Sequence, residues 1–239
     1  MNGNPRQLVT RWWKGLGYQE LVILLVMLMI LAGMWGFLAI AGEVSEGETK
    51  SIDERLLLAL RNPADPADPL GPPWFEEAMR DLTALGGSAV LALLTLAVSG
   101  YLLLVRRYLL SCLVIAAVIG GSLLSTALKA GYERPRPELV PHLSQVQYTS
   151  FPSGHSMAAA ATYLTLGALL ARAQTRPVLH VYFLVLAIII TLLVGISRVY
   201  LGVHWPTDVV AGWTAGTTWA LFCWLIARWL TPRAARKVS

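Results

Sequence analysis

The stretch Ser197-Arg198-Val199-Tyr200-Leu201-Gly202-Val203-His204-Trp205-Pro206-Thr207-Asp208 lies between two long apolar runs and holds an arginine, a histidine and an aspartate. A histidine with an aspartate four residues on suits nucleophilic or general-base catalysis, because the carboxylate fixes the imidazole tautomer and stabilises its cation. Attack of an imidazole nitrogen on phosphorus would give a phosphohistidine and split hydrolysis into two steps. The same pair also suits a structural hydrogen bond. Two more polar clusters stand at the ends of neighbouring apolar runs: Lys129 with Arg134-Pro135-Arg136-Pro137, and Pro152-Ser153-Gly154-His155. An arginine binds phosphate oxygens as a planar fork and a lysine adds a compact charge, while the prolines stiffen the loop that holds them. In the other cluster a helix N-terminus would offer unpaired N–H groups to an anion, and Gly154 would let the backbone come close. Ser153 could donate to that anion or simply cap the helix, and His155 could act as a general acid beside a leaving oxygen. Contacts with lipid headgroups and an ordinary helix cap are the plainer accounts of these two clusters. We expect the three clusters to meet and form one phosphate-handling site.

The elements that must bring them together are membrane helices. Of the 239 residues, 56% are hydrophobic and only 14% charged, against about 25% charged in a soluble domain, and the mean hydropathy is +0.58. Six runs are long enough for about 30 Å of hydrocarbon: about 21–41, 87–105, 108–128, 156–173, 178–197 and 209–227. The fourth is the least apolar, with an Ala-rich start. The expected fold is therefore all-α: a single polytopic membrane domain over residues 1–239, with six transmembrane helices and a short helical external segment, 42–86, between the first two. The net charge of +5 does not imply nucleic acid, because where charges lie matters more than their sum. Lys and Arg fall on alternate loops. Arg6, Arg11, Lys14, Arg106, Arg107, Arg172, Arg176, Arg228, Arg233, Arg236 and Lys237 share one side with a single acid, Glu20. The positive-inside bias puts that side and both termini in the cytoplasm, and the three clusters on the external face.

Several features carry no chemistry. Ala39-Ile40-Ala41 resembles a cleavage site, but the run before it is too long for a signal-peptide core and reads as an uncleaved anchor. Trp12, Trp13 and Trp229 read as interfacial anchors. Cys112 and Cys223 lie inside apolar runs and suggest neither a disulfide framework nor a zinc site. In the external segment, Ser51-Ile52-Asp53-Glu54 reads as a capping box ahead of a short helix, ended by Arg61-Asn62-Pro63, with a second helix from about Trp74. Leu56, Leu57, Leu60, Trp74, Phe75 and Met79 suggest amphipathic pieces on the bilayer surface. The segment would either cap the bundle or guide a lipid tail to the site.

Taken as a set, the clusters are far more specific than singly. Lys129, six residues, Arg136-Pro137; Pro152-Ser153-Gly154-His155; and Ser197-Arg198, five residues, His204, three residues, Asp208 together closely resemble the three-part signature of the type-2 phosphatidic-acid phosphatase superfamily. Asp81-Leu82-Thr83-Ala84-Leu85-Gly86 resembles a stretch common in its bacterial members. The resemblance implies that His204 is the nucleophile and Asp208 orients it. It implies that His155 protonates the leaving oxygen and activates water in the second step. Lys129, Arg136 and Arg198 would hold the phosphoryl oxygens, with Ser153 and the Gly154 amide completing the cradle. No metal or other cofactor is implied. His142 and His180 match no motif and read as structural. The expected function is a membrane lipid phosphatase acting on a phospholipid or isoprenoid diphosphate, such as undecaprenyl diphosphate, phosphatidylglycerol phosphate, phosphatidic acid or lipid A. The alternatives are a phosphotransferase that uses the same intermediate and a non-catalytic membrane binding protein. Expected partners are the lipid phosphate and the bilayer, with no nucleic acid; a bacterial plasma membrane fits the compact chain, and no signal for oligomeric state is present.

Overall fold

The computed structural model describes residues 17–144 and 149–230. Trp12 and Trp13, and the basic residues Arg6, Arg11, Lys14, Arg233, Arg236 and Lys237, lie outside the described residues. In chain order the elements are α1 (Tyr18–Glu46), α2 (Lys50–Leu58), β1 (Arg61–Asn62), β2 (Asp65–Pro69), α3 (Pro73–Ala84), α4 (Ser88–Leu104), α5 (Tyr108–Ala130), α6 (Gly154–Arg172), α7 (Pro177–Tyr200) and α8 (Pro206–Leu230). The all-α expectation thus acquires one antiparallel hairpin, β1 with β2, where Pro63 and Pro66 interrupt any helix.

By length and hydropathy, α1, α5, α7 and α8 can each cross a membrane among the described residues. Helices α3 and α4 meet at a bend of 51° and qualify only as a pair, for a total of up to five spans. The expected count of six is not reached, and α6 is the reason. It is 19 residues long, but ten of them are buried, chiefly Ala, Gly, Ser and Thr. A helix surrounded by other helices meets little lipid and needs small side chains for close packing more than it needs hydrophobicity. Met157 of α6 packs with Phe37 and Ala41 of α1 and with Ala211 and Ala215 of α8. On its other face, Ala159 and Tyr163 pack with Leu91 of α4 and with Ala187 and Val194 of α7. The α6–α8 contact is close at Gly216, where an added Cβ would lie 2.5 Å from the Met157 carbonyl oxygen and 2.6 Å from the Ala160 Cβ.

The segment between α1 and α4 also departs from expectation. The Ser51–Glu54 stretch is not a capping box: α2 starts at Lys50 with Thr49 at its N-cap and no side-chain cap, the Thr49 hydroxyl accepting instead from Arg134, and Asp53 is fully buried. Nor do all its apolar residues face the bilayer. Leu57 is buried with Val140 and Trp205, and Met79 with Tyr200, Leu201 and Val203. Ile52, Leu56 and Trp74 stay exposed. One face of the segment therefore covers the loop between α7 and α8.

The tight α6–α8 contact makes a checkable prediction. Gly216→Val should destabilise the fold by about 1–3 kcal/mol through overpacking, read as a lower thermal midpoint in detergent. Gly42→Ala, where a Cβ meets nothing within 4 Å, should leave the midpoint unchanged or slightly higher.

Candidate active site

The ends of four helices converge at one end of the bundle. Lys129 lies in the last turn of α5, Ser153 is the N-cap of α6, Arg198 lies in the last turn of α7 and Asp208 in the first turn of α8. Arg136 comes from the α5–α6 loop and His204 from the short α7–α8 loop. The interhelical loops carry the motifs, so convergence follows from the bundle's alternation of helix direction.

Asp208 is fully buried, and a buried carboxylate must find donors. It finds four. Arg134 Nη1 donates to Oδ1 at 2.6 Å. The Ser150 hydroxyl donates to Oδ2. The Trp205 amide donates to the same oxygen at 3.0 Å, and His204 Nδ1 approaches it at 3.4 Å. The opposite ring nitrogen of His204, Nε2, lies 3.3 Å from Arg136 Nη1. A guanidinium has no acceptor, so Nε2 is the accepting, unprotonated nitrogen and the proton sits on Nδ1, toward the carboxylate. Ser150 agrees: its hydrogen goes to Asp208, so its oxygen, 3.3 Å from Nδ1, accepts from the ring. Burial holds the His204 imidazole far below its ordinary 6.5, at about 3, Asp208 opposing the shift while Arg198 and Arg136 add to it.

The cations surround that imidazole. Arg136 also donates to the Val203 carbonyl at 2.5 Å; burial lowers its pKa and Asp208 works against that. Lys129 Nζ donates to the Thr149 carbonyl at 3.0 Å, and its Cε would touch a Cβ on Gly154 at 3.2 Å, so glycine there lets the ammonium lie against the α6 N-terminus. Arg198 is buried and donates from Nη1 to Thr83 Oγ1 at 3.0 Å, while its Nε meets no partner among the described residues. His155 interacts electrostatically with Arg198, His204, Lys129 and Arg136. The structure therefore gathers all eight residues singled out in the sequence at one place. Ser153 acts as the helix cap, its Oγ accepting from the Ser156 amide at 3.5 Å and the Ser156 hydroxyl at 2.9 Å, and its own amide donates to the Asp208 carbonyl at 3.0 Å.

Sequence reasoning passed over four participants. In the sequence Arg134 is a basic neighbour of Arg136, Asp53 is part of a helix start, and Ser150 carries no signal. Thr83 lies in the Asp81–Gly86 stretch, whose resemblance implies no role for it. Asp53 stands beside Glu54 in Lys50–Leu58, so no local signal in the sequence sets the buried acid apart from its neighbour. His142 and His180 bond to the backbone carbonyls of Pro137 and Gln174, each at 2.7 Å.

The model of the PAP2 superfamily matches residues 107–232. The chain is 34% identical over 188 residues to phosphatidylglycerophosphatase B of Bacillus subtilis, covering 75% of this chain and 85% of that protein. It is 42% identical over 73 residues to an undecaprenyl-diphosphatase of Sulfolobus acidocaldarius, which covers 30% of this chain and 31% of that one. Among solved structures it is similar to the crystal structure of a transmembrane PAP2 type phosphatidylglycerolphosphate phosphatase from Bacillus subtilis, with a TM-score of 0.77 and 30% identity over 85% of this chain and 98% of the other.

The low His204 pKa has a consequence for stability. Between about pH 3 and 6.5 the unfolded chain binds a proton at this residue that the folded chain refuses, so folded stability falls as pH falls through that window. His204→Gln should flatten this dependence, measured as thermal midpoint against pH; an unchanged slope would place the titrating group elsewhere.

Proposed function

The chain belongs to the PAP2 superfamily, and we propose that it is an integral membrane lipid phosphatase which removes a terminal phosphate from a phospholipid or an isoprenoid diphosphate. The observation that carries this reading is the polarity of the His204 ring: its proton faces Asp208 and its lone pair faces Arg136. A neutral imidazole so oriented is a nucleophile aimed at a cationic pocket.

In the proposed reaction, His204 Nε2 attacks phosphorus as the bond to the leaving oxygen breaks, and His155 delivers a proton to that oxygen. Lys129, Arg136 and Arg198 bind the equatorial oxygens, whose charge spreads in the five-coordinate transition state. The Gly154 amide, at the N-terminus of α6, donates to the same group. Asp208 stabilises the cationic ring of the phosphohistidine. His155, now neutral, takes a proton from water, which attacks phosphorus and restores His204. The substrate lipid is a phosphatidylglycerol phosphate or an undecaprenyl diphosphate, as the names of the relatives suggest, and the site faces the external side of the plasma membrane with both termini in the cytoplasm.

The test is phosphate release from purified protein against a panel of phosphatidylglycerol phosphate, undecaprenyl diphosphate, phosphatidic acid and lipid A. His204→Ala should lower kcat by roughly a thousandfold or more without loss of folded protein. Vanadate should inhibit, and excess chelator should not. Full activity in His204→Ala would end the proposal.

A further inference from the structure

Asp53, in the segment between α1 and α4, is an acid with no exposed surface and belongs to none of the three motif clusters. Its two oxygens are spent on the nucleophile's surroundings. Oδ1 accepts from the Thr207 amide at 2.9 Å, and Oδ2 from the Thr207 hydroxyl and from Arg134 Nη2, both at 2.6 Å. Arg134 spends its other terminal nitrogen on Asp208 and on Thr207 Oγ1, at 2.6 and 2.8 Å. Thr49 accepts a further bond from Nη2 at 3.1 Å, and the guanidinium lies 5.6 Å from the centre of the Trp205 ring. One planar cation thus joins two buried carboxylates from segments 155 residues apart in the chain (53 and 208).

We propose that Asp53 and Arg134 are positioning residues for the reaction, with Asp53 fixing the Arg134 fork so that Arg134 holds Asp208 ionised and turned toward Nδ1 of His204. The chemistry of the fork supports this. A guanidinium is rigid and planar, so anchoring Nη2 at Asp53 fixes where Nη1 points. Asp208 Oδ2 is then left for the imidazole, Ser150 and the Trp205 amide, while Oδ1 takes the arginine. A lone Arg134–Asp208 pair would keep the charge but leave the carboxylate free to turn. Burial sharpens the requirement, since a carboxylate left without its cation is strongly destabilised in such a site. The device also makes α2, and with it the connecting segment, part of the catalytic apparatus.

The inference rests on the reading of Asp208 as the residue that orients His204, and a double-mutant cycle separates the two. kcat, KM and thermal midpoint would be measured for the full chain, Asp53→Asn, Asp208→Asn and the double variant, with His204→Ala alongside, on whichever panel lipid the unaltered chain hydrolyses fastest. Asp53→Asn should lower kcat by about tenfold or more, the scale of lost support to a catalytic group, with KM within about twofold. In the Asp208→Asn background it should add less than a twofold loss, because its effect passes through Asp208. An unchanged kcat in Asp53→Asn, or losses that multiply in the double variant, would overturn the inference even with His204→Ala inactive. An active His204→Ala would instead sink the nucleophile reading beneath it. If Asp53→Asn yields no folded protein, Arg134→Lys keeps the charge without the fork and should show the same kcat loss and the same non-additivity; a normal kcat there, or multiplying losses, would overturn the inference.

Discussion

A carboxylate buried at the end of a membrane bundle is tolerated only when its charge is met. Asp208 meets this constraint with donors from two separate pieces of chain, the α5–α6 loop through Arg134 and Ser150 and the α7–α8 loop through His204 and the Trp205 amide, while Asp53 of α2 accepts from Arg134 in turn. Each donor fixes a loop as well as a charge. Ser150 is itself held by its amide on the Arg134 carbonyl at 2.9 Å, so the two donors of the α5–α6 loop move as one.

The connecting segment between α1 and α4 does two things that its sequence did not separate. Its inner face packs Leu57 and Met79 onto the loop that carries His204, and Arg61 reaches in from the hairpin to donate to the Tyr200 carbonyl at 2.8 Å, near the C-terminus of α7. Its outer face leaves Ile52, Leu56 and Trp74 exposed, as a segment resting on a bilayer would. The covering face and the exposed apolar face thus lie on opposite sides of the same short helices. A lipid meeting the outer face would therefore rest on elements that back the loop carrying His204.

What was legible in the sequence was local. Lys129, Arg198 and Asp208 could be placed because apolar runs stop beside them, and the helix ends they mark lie at one end of any up-and-down bundle. The helix at 73–84 could be placed because proline favours a first turn. What escaped was set by partners far along the chain. Arg134 looks like Arg136 in the sequence, both within one Arg-Pro-Arg-Pro run, yet one arginine goes to the carboxylates behind the histidine and the other to the ring nitrogen in front of it. Only the direction of the loop distinguishes them. The low hydropathy of α6, which keeps it out of the candidate spans, has a related reason. Hydropathy measures the preference for lipid, and the helix at the centre of the bundle has little lipid to meet.

The division of labour between those two arginines bears on how a pocket can be cationic and still hold an acid. Asp208 interacts with Lys129 and Arg136 as well as with His204; left alone, its charge would offset part of the field that draws a phosphoryl group. In water such an offset is small, but in a desolvated pocket a charge a few ångströms away is worth kilocalories. Arg134 takes up Asp208 from the side away from Nε2, and Asp53 balances Arg134 still farther out. The compensating charges are thereby layered outward from the imidazole, with the negative excess of the Asp53–Arg134–Asp208 set lying behind the ring. In the proposed mechanism, Lys129, Arg136 and Arg198 are then left with their charge directed at the substrate. In that mechanism the acid steadies the histidine while Arg134 takes up part of its charge on the oxygen that does not face the ring.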